Sequence, residues 1–181
     1  MNYSHPKRKT KVVFVQLGSP SAPTTKALRK YLRKFLGDPR VIDINPWLWK
    51  IILNFFVLPF RPQKSAKLYA RIWDGKSFPL ITNTRDFTKN VSDELKMIDP
   101  EGYVEVNHAF LLSPPYVNEV YDSWEEDVKK GVGATKLLVI PMFPQYSEST
   151  IASGIDALAK ELSKRVKIPT FEVITNFHRT H

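Results

Sequence analysis

The sequence predicts an α/β fold in which a doubly wound, parallel four-stranded sheet is flanked by helices. Short apolar runs, typical of strands buried on both faces, occur at residues 12–17 and 137–140. Turn residues at 99–102 and 131–133 precede two of the predicted strands. Segments of helical periodicity alternate with these strands, which indicates right-handed βαβ units and a parallel sheet. The length of 181 residues and the apolar content of 43% suit one domain with a substantial core.

The first strand is predicted at 11–17 and ends where a glycine and a proline interrupt the apolar run. A helix is predicted at 24–36, because apolar residues recur there at helical spacing, at positions 28, 31, 32, 35 and 36. A turn containing glycine, aspartate and proline at 37–40 then leads to a short extended piece at 41–44.

An unusually apolar helix is predicted at 47–58. Pro46 suits its first turn, and Pro59 with Pro62 is expected to end it before a further helix at 64–73. The apolar run at 47–60 is 14 residues long with an internal lysine, whereas a membrane-spanning helix needs about 20 apolar residues. It therefore does not span a bilayer.

Two interpretations of residues 46–62 remain open. The segment is either a buried core helix or an exposed apolar lip flanked by positive charge, which would suit contact with a lipid surface. The flanking cations are Lys50, Arg61, Lys64 and Lys67. The side chains expected on such a lip are Trp47, Trp49, Ile52, Phe55 and Phe56.

The second half of the chain continues the alternation of strands and helices. Its predicted elements are a helix at 80–97, a strand at 103–110, a helix at 116–130, a strand at 136–141, a helix at 149–165 and a strand at 169–175.

The loop at 141–150 is the most informative stretch. It follows a buried strand, carries two prolines and several hydroxyls, and leads into a helix with three possible N-caps, Ser147, Ser149 and Thr150. Ligands of open α/β sheets bind at the carboxyl ends of strands. The stiff polar loop therefore indicates a preformed pocket wall, or else an ordinary strand–helix connection. A Gly-x-Gly-x-x-Gly motif is absent, which disfavours a nicotinamide cofactor.

Several short motifs resemble those of ferrochelatases, in the order and at about the spacing of that family. They are Leu17-Gly18-Ser19-Pro20, the run from Phe35 to Asp43 that contains Gly37-Asp38-Pro39-Arg40, Tyr69-Ala70-Arg71-Ile72-Trp73 with the element around Ser77, and Pro144-Gln145-Tyr146-Ser147 with Ser149-Thr150. The resemblance covers nearly all of residues 10–181 but only about the first half of a typical member.

The resemblance implies a Rossmann-like chelatase domain of an enzyme that inserts ferrous iron into protoporphyrin IX to make haem. It divides the chain into a basic, disordered leader at 1–10, the chelatase N-terminal domain at 11–176, and at 177–181 the start of a linker to a missing second domain. The family's catalytic histidine and acidic partners would lie beyond His181, so we expect no catalytic residue in this chain and little or no activity from it alone.

The resemblance implies that the turns after the first and third strands of the sheet form a rigid apolar slot for the flat macrocycle. The residues that it places against the porphyrin belong to the wall of this cleft. They are Leu17, Gly18, Pro20, Arg71, Ser77, Pro144, Gln145, Tyr146, Ser147 and Thr150. Arg71 would pair with a propionate. A hydrophobic flap over the porphyrin mouth, which the family places at 46–62, favours the lip interpretation of that segment.

The chain departs from the family pattern at several positions. Leu111 and Leu112 stand in the turn where the family usually has a tyrosine and a glycine, which removes a tyrosine contact with ring or metal. One extra residue precedes Pro79, which leaves the role of Ser77 open. Leu17 can pack on a macrocycle but cannot coordinate a metal.

The histidines give little support for a catalytic base. His5 lies in the basic leader, and His178 and His181 lie at the chain end. His108 lies within a strand, where alternation puts it on the same face as Val104, Val106 and Phe110. A structural, hydrogen-bonded histidine is the more common case there.

No cysteine is present, so we expect no disulfide, no iron–sulfur cluster and no resident cofactor. Glu148 stands near the position where some family members have a cluster cysteine. The absence of cysteine suits a reducing cytoplasm, and no secretory signal precedes the first strand. We expect a cytoplasmic protein in peripheral contact with a membrane.

The net charge of +9 belongs entirely to residues 1–50, which hold eleven lysines and arginines and only two acids. Such a surface attracts anions, either lipid head groups or porphyrin propionates, or it is simply a solvated helix face. Nucleic acid is not an expected partner, because no binding motif accompanies the charges.

The expected partners are a porphyrin, a membrane surface, and the missing C-terminal domain or a second copy. Alternatives to the chelatase are a non-catalytic tetrapyrrole-binding module and a peripheral membrane-binding module.

Overall fold

A computed structural model describes residues 9–131 and 134–177 and contains the predicted parallel sheet. The sheet has four strands in the order β2-β1-β3-β4, and every neighbouring pair is parallel. The strands are β1 Lys9–Gln16, β2 Val104–Phe110, β3 Ala134–Pro141 and β4 Thr170–Val173. The fold class predicted from the sequence is confirmed.

Helices cover both faces of the sheet. Side chains along β1 point alternately to the two faces and pack on the helices of each side. Val13 and Val15 join a buried cluster with Tyr121 and Leu158, which come from α5 and α6. Phe14 points the other way and meets Phe87 of α4, with ring centroids 5.0 Å apart. The helices are α1 Thr25–Phe35, α2 Pro46–Ile52, α3 Leu58–Ala70, α4 Pro79–Ile98, α5 Val117–Lys129 and α6 Ser153–Leu162.

A buried lysine fixes α5 to the start of the central strand. The side chain of Lys11 is 0% exposed, and its Nζ donates to Asp127 Oδ2 at 2.9 Å and to Ser123 Oγ at 3.2 Å. Glu105 Oε1 of the neighbouring strand lies 3.5 Å from the same Nζ. A buried ammonium needs such partners, because burying it unpaired is very costly.

Several predicted boundaries need correction. Strand β1 begins at Lys9, inside the segment expected as a leader, and residues 1–8 and 178–181 lie outside the described residues. The extended piece expected at 41–44 is wrong: the described backbone there is a turn followed by irregular structure. The last predicted helix begins instead with a π-helical turn, Glu148–Ala152.

The expected break at Pro59 and Pro62 is also wrong. A π-helical turn, Leu53–Val57, joins α2 to α3, so helical backbone continues from residue 46 to residue 70. Pro59 lies in the first turn of α3, directly after the π-helical turn, where a missing amide hydrogen costs less than in a helix interior. Pro62 lies inside α3.

An arginine from the neighbouring helix compensates for Pro62. In a regular α-helix the amide of residue 62 would donate to the carbonyl oxygen of Leu58, and proline has no such hydrogen. Arg29 of α1 donates instead, from Nε to Leu58 O at 3.2 Å. This contact satisfies the carbonyl and ties α1 to α3, which explains why the proline does not end the helix.

We predict that Arg29→Ala lowers the free energy of unfolding by about 1–2 kcal/mol, because it removes a charged donor from that carbonyl. In a Pro62→Ala background the loss is smaller, because the new amide can donate to Leu58 O. Urea unfolding of the four proteins of this cycle measures both effects. Arg33→Ala, on the same helix and exposed, is the control and changes stability little. Equal losses for Arg29→Ala in both backgrounds would contradict the assignment.

Candidate functional site

The loops after β1 and β3 lie side by side at the carboxyl edge of the sheet. We call residues 17–24 the first loop and residues 142–147 the third loop. The amide of Met142 donates to the carbonyl oxygen of Val15 at 2.8 Å, and Gln16 Nε2 donates to Met142 O at 3.4 Å. Gln16 Oε1 accepts from the amide of Leu17 at 2.9 Å. One glutamine side chain therefore connects both loops at their start.

The loop after β2, residues 111–116, lies against the first loop, and we call it the second loop. The amide of Leu112 donates to Leu17 O at 3.0 Å, and the amide of Ser19 donates to Ser113 Oγ at 3.3 Å. Gly18 has a φ of +92°, and a Cβ added to it would lie 2.3 Å from Ser113 Oγ. Glycine is required there both by its backbone conformation and by this close approach.

The wall residues expected in the first and third loops differ in exposure. Gly18 and Pro20 are buried and Leu17 is partly buried. These three residues of the first loop therefore expose little surface to a ligand. The third loop is exposed along Pro144, Gln145 and Tyr146, whose side chain is 55% exposed. Because it is exposed at the edge of the sheet, the aromatic ring of Tyr146 is available to contact a ligand.

The start of α6 differs from the expected N-cap. Ser147 occupies the cap position, but its hydroxyl makes no capping bond and pairs instead with Ser149 Oγ at 3.1 Å. Its carbonyl oxygen is within hydrogen-bond distance of the amides of Thr150, Ile151 and Ala152. The π-helical turn that follows widens the helix start, and such turns frequently occur at functional sites. Ser147 and Thr150 are partly buried.

A third segment, residues 37–40, contacts the beginning of α6. Ser153 Oγ donates to Asp38 Oδ2 at 2.7 Å, and Arg40 forms a two-point ion pair with Asp156 at 2.8 and 3.2 Å. The side-chain hydrogen bond that Arg40 donates to Asp156 raises the pKa of Arg40, and the charge of nearby Glu148 contributes to the shift. The turn at 37–40 was predicted, but this connection across 116 residues of sequence was not.

The lip residues are mostly exposed, so the buried-helix interpretation of residues 46–62 does not hold for α2, whereas Leu53, Leu58 and Pro62 of the same segment are buried. The exposed fractions are 75% for Trp47, 70% for Phe55 and 66% for Phe56, and α2 has no buried residue. Trp49 and Ile52 are partly buried, and Trp49 Nε1 donates to Leu36 O at 2.7 Å. Pro59 and Phe60 extend the exposed surface into α3.

A groove of about 310 Å³ lies between α2 and the segment that precedes it. Its lining combines apolar side chains, including Ile42, Trp49 and Leu53, with Asp38 and Lys50. It is therefore an apolar recess with few charges, located directly beside the lip.

Arg71 and Ser77 are near in sequence to an aromatic cluster. Tilted and edge-on contacts join Tyr31 of α1, Tyr69 of α3 and Phe78 before α4, with ring centroids 5.4–6.2 Å apart. Arg71 is the exposed C-cap of α3, and the amide of Ser77 donates to Asp74 Oδ1 within a turn. The hydrogen bonds described for Arg71 and Ser77 stay within α3 and within this turn, and none of those described reaches the third loop.

His108 does not have the surroundings of a catalytic base. It lies within β2, opposite Phe14, with its ring centroid 5.5 Å from that of Phe110. Burial, followed by the charge of Arg85, lowers its pKa below the usual 6.5. The predictions about His5, His178 and His181 fall outside the described residues.

In residues 9–131 and 134–177, no group of three or more His, Cys, Asp or Glu side chains could hold a metal ion. No helix in those ranges has the length and apolar character needed to cross a bilayer. The clearest cavities there do not include one lined by both Leu17 and Tyr146, so the expected slot is not among them.

Comparison with known proteins decides the family. The profile described as Ferrochelatase matches residues 9–181. A protein of Idiomarina loihiensis named Ferrochelatase is 42% identical over 167 residues, which are 92% of this chain and 44% of that relative. The chain belongs to the ferrochelatase family.

Two further relatives show how much of the family sequence is represented. The Ferrochelatase of Teredinibacter turnerae is 38% identical over 179 residues, 98% of this chain and 47% of the relative. A protein of Streptococcus mutans named Coproporphyrin III ferrochelatase is 39% identical over 171 residues, 94% of this chain and 51% of the relative. The chain thus spans about half the length of the curated ferrochelatases that it matches.

We predict opposite effects for two glycine substitutions in this ferrochelatase-family chain. Gly18→Ala lowers the free energy of unfolding by about 2 kcal/mol or more, because the left-handed φ is strained for alanine and the new Cβ collides with Ser113. Gly154→Ala, in α6, raises it by about 0.5–1 kcal/mol, because its Cβ meets no atom within 4 Å and alanine favours helices. Urea unfolding measures both, and a neutral Gly18→Ala would contradict the described loop contact.

Proposed function

We propose that this chain forms one wall of the porphyrin cleft of a ferrochelatase, the enzyme that inserts ferrous iron into protoporphyrin IX in haem biosynthesis. Family membership over residues 9–181 carries the proposal. The carboxyl edge of the sheet supports it, because three loops meet there and the third loop exposes Tyr146.

The chemistry assigned to this wall is binding and distortion. Metal insertion requires that the macrocycle be bent, so that its nitrogens are accessible, and bending draws on binding energy. A stiff surface suits this role. The first loop is fixed by hydrogen bonds to the second and third loops, and the third loop contains Pro144 directly before its exposed residues. Leu17, Gly18 and Pro20 would pack on one part of the ring, and Tyr146 would stack on another.

Removal of the two pyrrole protons requires a base near the ring centre. Within the described residues the one histidine, His108, is a strand residue facing α4 with a lowered pKa. The proposal therefore assigns proton removal to a histidine and a carboxylate outside residues 9–177. Ferrous iron is a substrate in this scheme, and no resident cofactor is proposed.

Two porphyrins, protoporphyrin IX and coproporphyrin III, are candidate substrates within the proposal. Most of the similar relatives are named simply Ferrochelatase, whereas the Streptococcus mutans relative is named for coproporphyrin III. Protoporphyrin IX carries two propionates and coproporphyrin III carries four, so the number of cations at the cleft bears on the choice. Protoporphyrin IX is the substrate proposed here.

We predict saturable quenching of tryptophan fluorescence when protoporphyrin IX is titrated into this chain. Tyr146→Ala weakens binding about fivefold, because one aromatic contact is lost. Phe171→Ala is the control, since Phe171 is an exposed aromatic on the edge strand β4. A parallel titration with coproporphyrin III tests the choice of substrate. Absence of saturable quenching by either porphyrin would contradict the proposed function.

We also propose that the apolar lip contacts an anionic membrane, in keeping with a cytoplasmic protein bound peripherally. The exposed Trp47, Phe55, Phe56 and Phe60 are flanked by exposed cations, and no acid occurs between residues 44 and 73. Apolar residues combined with lysine and arginine are the composition of interfacial elements. A membrane contact would let an insoluble porphyrin reach the cleft from the lipid phase.

We predict that the parent protein floats with liposomes containing phosphatidylglycerol and that Trp47→Glu/Phe55→Glu does not, because two charges replace exposed lip residues. Met97→Glu/Ile98→Glu provides a matched control at the end of α4, where both residues are more than 70% exposed. This control floats like the parent. Flotation of the lip variant equal to that of the parent would contradict membrane binding by the lip.

A further inference from the structure

The turn at residues 37–40 is attached to the beginning of α6 by two side-chain contacts. Arg40 donates from Nε to Asp156 Oδ2 at 2.8 Å and from Nη2 to Asp156 Oδ1 at 3.2 Å. Asp38 Oδ2 accepts from Ser153 Oγ at 2.7 Å, and Asp38 Oδ1 accepts from the backbone amide of Arg40 at 2.8 Å. The aspartate therefore fixes the turn and contacts α6, and the arginine holds the same helix at a second point.

The ion pair between Arg40 and Asp156 is suited to fixing an orientation. A guanidinium that meets a carboxylate through two hydrogen bonds has a defined geometry, which a lysine contact lacks. The two side chains are 43% and 53% exposed, and ion pairs at such exposure contribute little to the stability of a fold. The pair therefore holds two segments together more than it stabilises the domain.

The ion pair lies next to the third loop. Tyr146 is separated from the π-helical turn Glu148–Ala152 by one residue, and α6 follows that turn without a break. The hydrogen bond to Asp156 is the main cause of the raised pKa of Arg40, and Glu148 and Tyr146 are close enough to contribute. Arg40 is therefore near the side chain of Tyr146 as well as the helix that follows it.

The exposed end of the third loop depends on this helix start. The beginning of the loop has its own anchors, since Gln16 Nε2 donates to Met142 O and the amide of Phe177 donates to Pro144 O at 3.1 Å. Among the described residues, the hydrogen bonds of residues 145–147 stay within the loop and the π-helical turn. The position of Tyr146 is therefore set by whatever holds that turn in place.

We propose that Arg40 and Asp156 are positioning residues for Tyr146: by holding the start of α6 against the turn at 37–40, they fix the third loop where this ring meets the porphyrin. The inference rests on the proposed function, in which Tyr146 stacks on the macrocycle, and it assigns the pair no contact with the substrate. A wall loop that is already fixed loses less conformational freedom on binding, which raises affinity.

The experiment titrates protoporphyrin IX into the parent and two variants, and quenching of tryptophan fluorescence gives each Kd. Arg40→Gln removes a positive charge and Asp156→Asn removes a negative one, yet both break the ion pair. We expect each to raise the Kd about threefold, which is less than the about fivefold effect of Tyr146→Ala, because the loop is loosened while its ring remains. The midpoint of urea unfolding changes little in either variant, because the pair is exposed.

The opposite charges of the two variants separate positioning from electrostatic attraction. Protoporphyrin IX is anionic, so a general field effect or a direct contact with Arg40 would weaken binding in Arg40→Gln and strengthen it in Asp156→Asn. Changes of opposite sign would overturn the proposal, and so would an unchanged Kd in both variants.

A double-mutant cycle tests whether the pair acts through Tyr146. In a Tyr146→Ala background we expect Arg40→Gln to change the Kd less than about twofold, because the positioned ring is absent. The full effect in that background would show that Arg40 acts elsewhere and would overturn the assignment.

Lys136→Gln is the matched control. It removes another exposed ion pair between two elements, in which Lys136 Nζ of β3 lies 2.7 Å from Glu172 Oε2 of β4. We expect its Kd to stay close to that of the parent, and an increase equal to that of Arg40→Gln would overturn the assignment to this particular pair.

Fluorine NMR reports the position of Tyr146 without porphyrin. The proteins are labelled with 3-fluorotyrosine, and Tyr146→Phe identifies the signal of Tyr146. We expect that signal to move in both Arg40→Gln and Asp156→Asn and to stay in Lys136→Gln, whereas an unmoved signal in the two pair variants would overturn the proposal. If the parent bound no porphyrin, the proposed function would fail, and the fluorine spectra would still decide whether the pair holds the loop.

Discussion

The central position of β1, paired in parallel with both β2 and β3, is the constraint on which the described site depends. Parallel pairing brings the ends of three strands to one edge, so the loops that follow them must share that edge. Gln16 then fixes the first and third loops through its side-chain amide, and Ser113 fixes the second. The strand order thus brings the three loops together, and the hydrogen bonds of Gln16 and Ser113 then fix their positions.

Electrostatics divides the molecule into two parts. The helices α1 to α3 carry only positive charges, whereas the sheet and the remaining helices carry both signs. The single buried lysine, among the residues described, is matched by Asp127, Ser123 and Glu105 at the opposite end of β1. Among the described residues, the buried lysine is therefore ion-paired, whereas the cations of α1 to α3 form no ion pair. An unpaired cationic surface costs little when it is hydrated, and it attracts acidic ligands.

The sequence was sufficient to predict the parallel sheet and most helices, since apolar periodicity and turn residues are local signals. The family followed from the resemblance of its short motifs. The sequence also placed Gly18, Pro20 and Tyr146 at one edge, because strand ends in a parallel sheet coincide. It failed at Pro62, where the compensating donor comes from Arg29, 33 residues earlier. The ion pair of Arg40 with Asp156 was missed for the same reason. Contacts between distant segments depend on packing, which composition and periodicity do not encode.

The helical run from residue 46 to residue 70 has a mechanical implication. Since Arg29 preserves it through Pro62, the exposed aromatic end at Trp47 and the end beside Tyr69 belong to one continuous helical run. The π-helical turn Leu53–Val57 and Pro62 interrupt its regular hydrogen bonding, and helices bend at such positions. The bending points of the run therefore lie between its exposed aromatic end and the part of α3 that carries Tyr69.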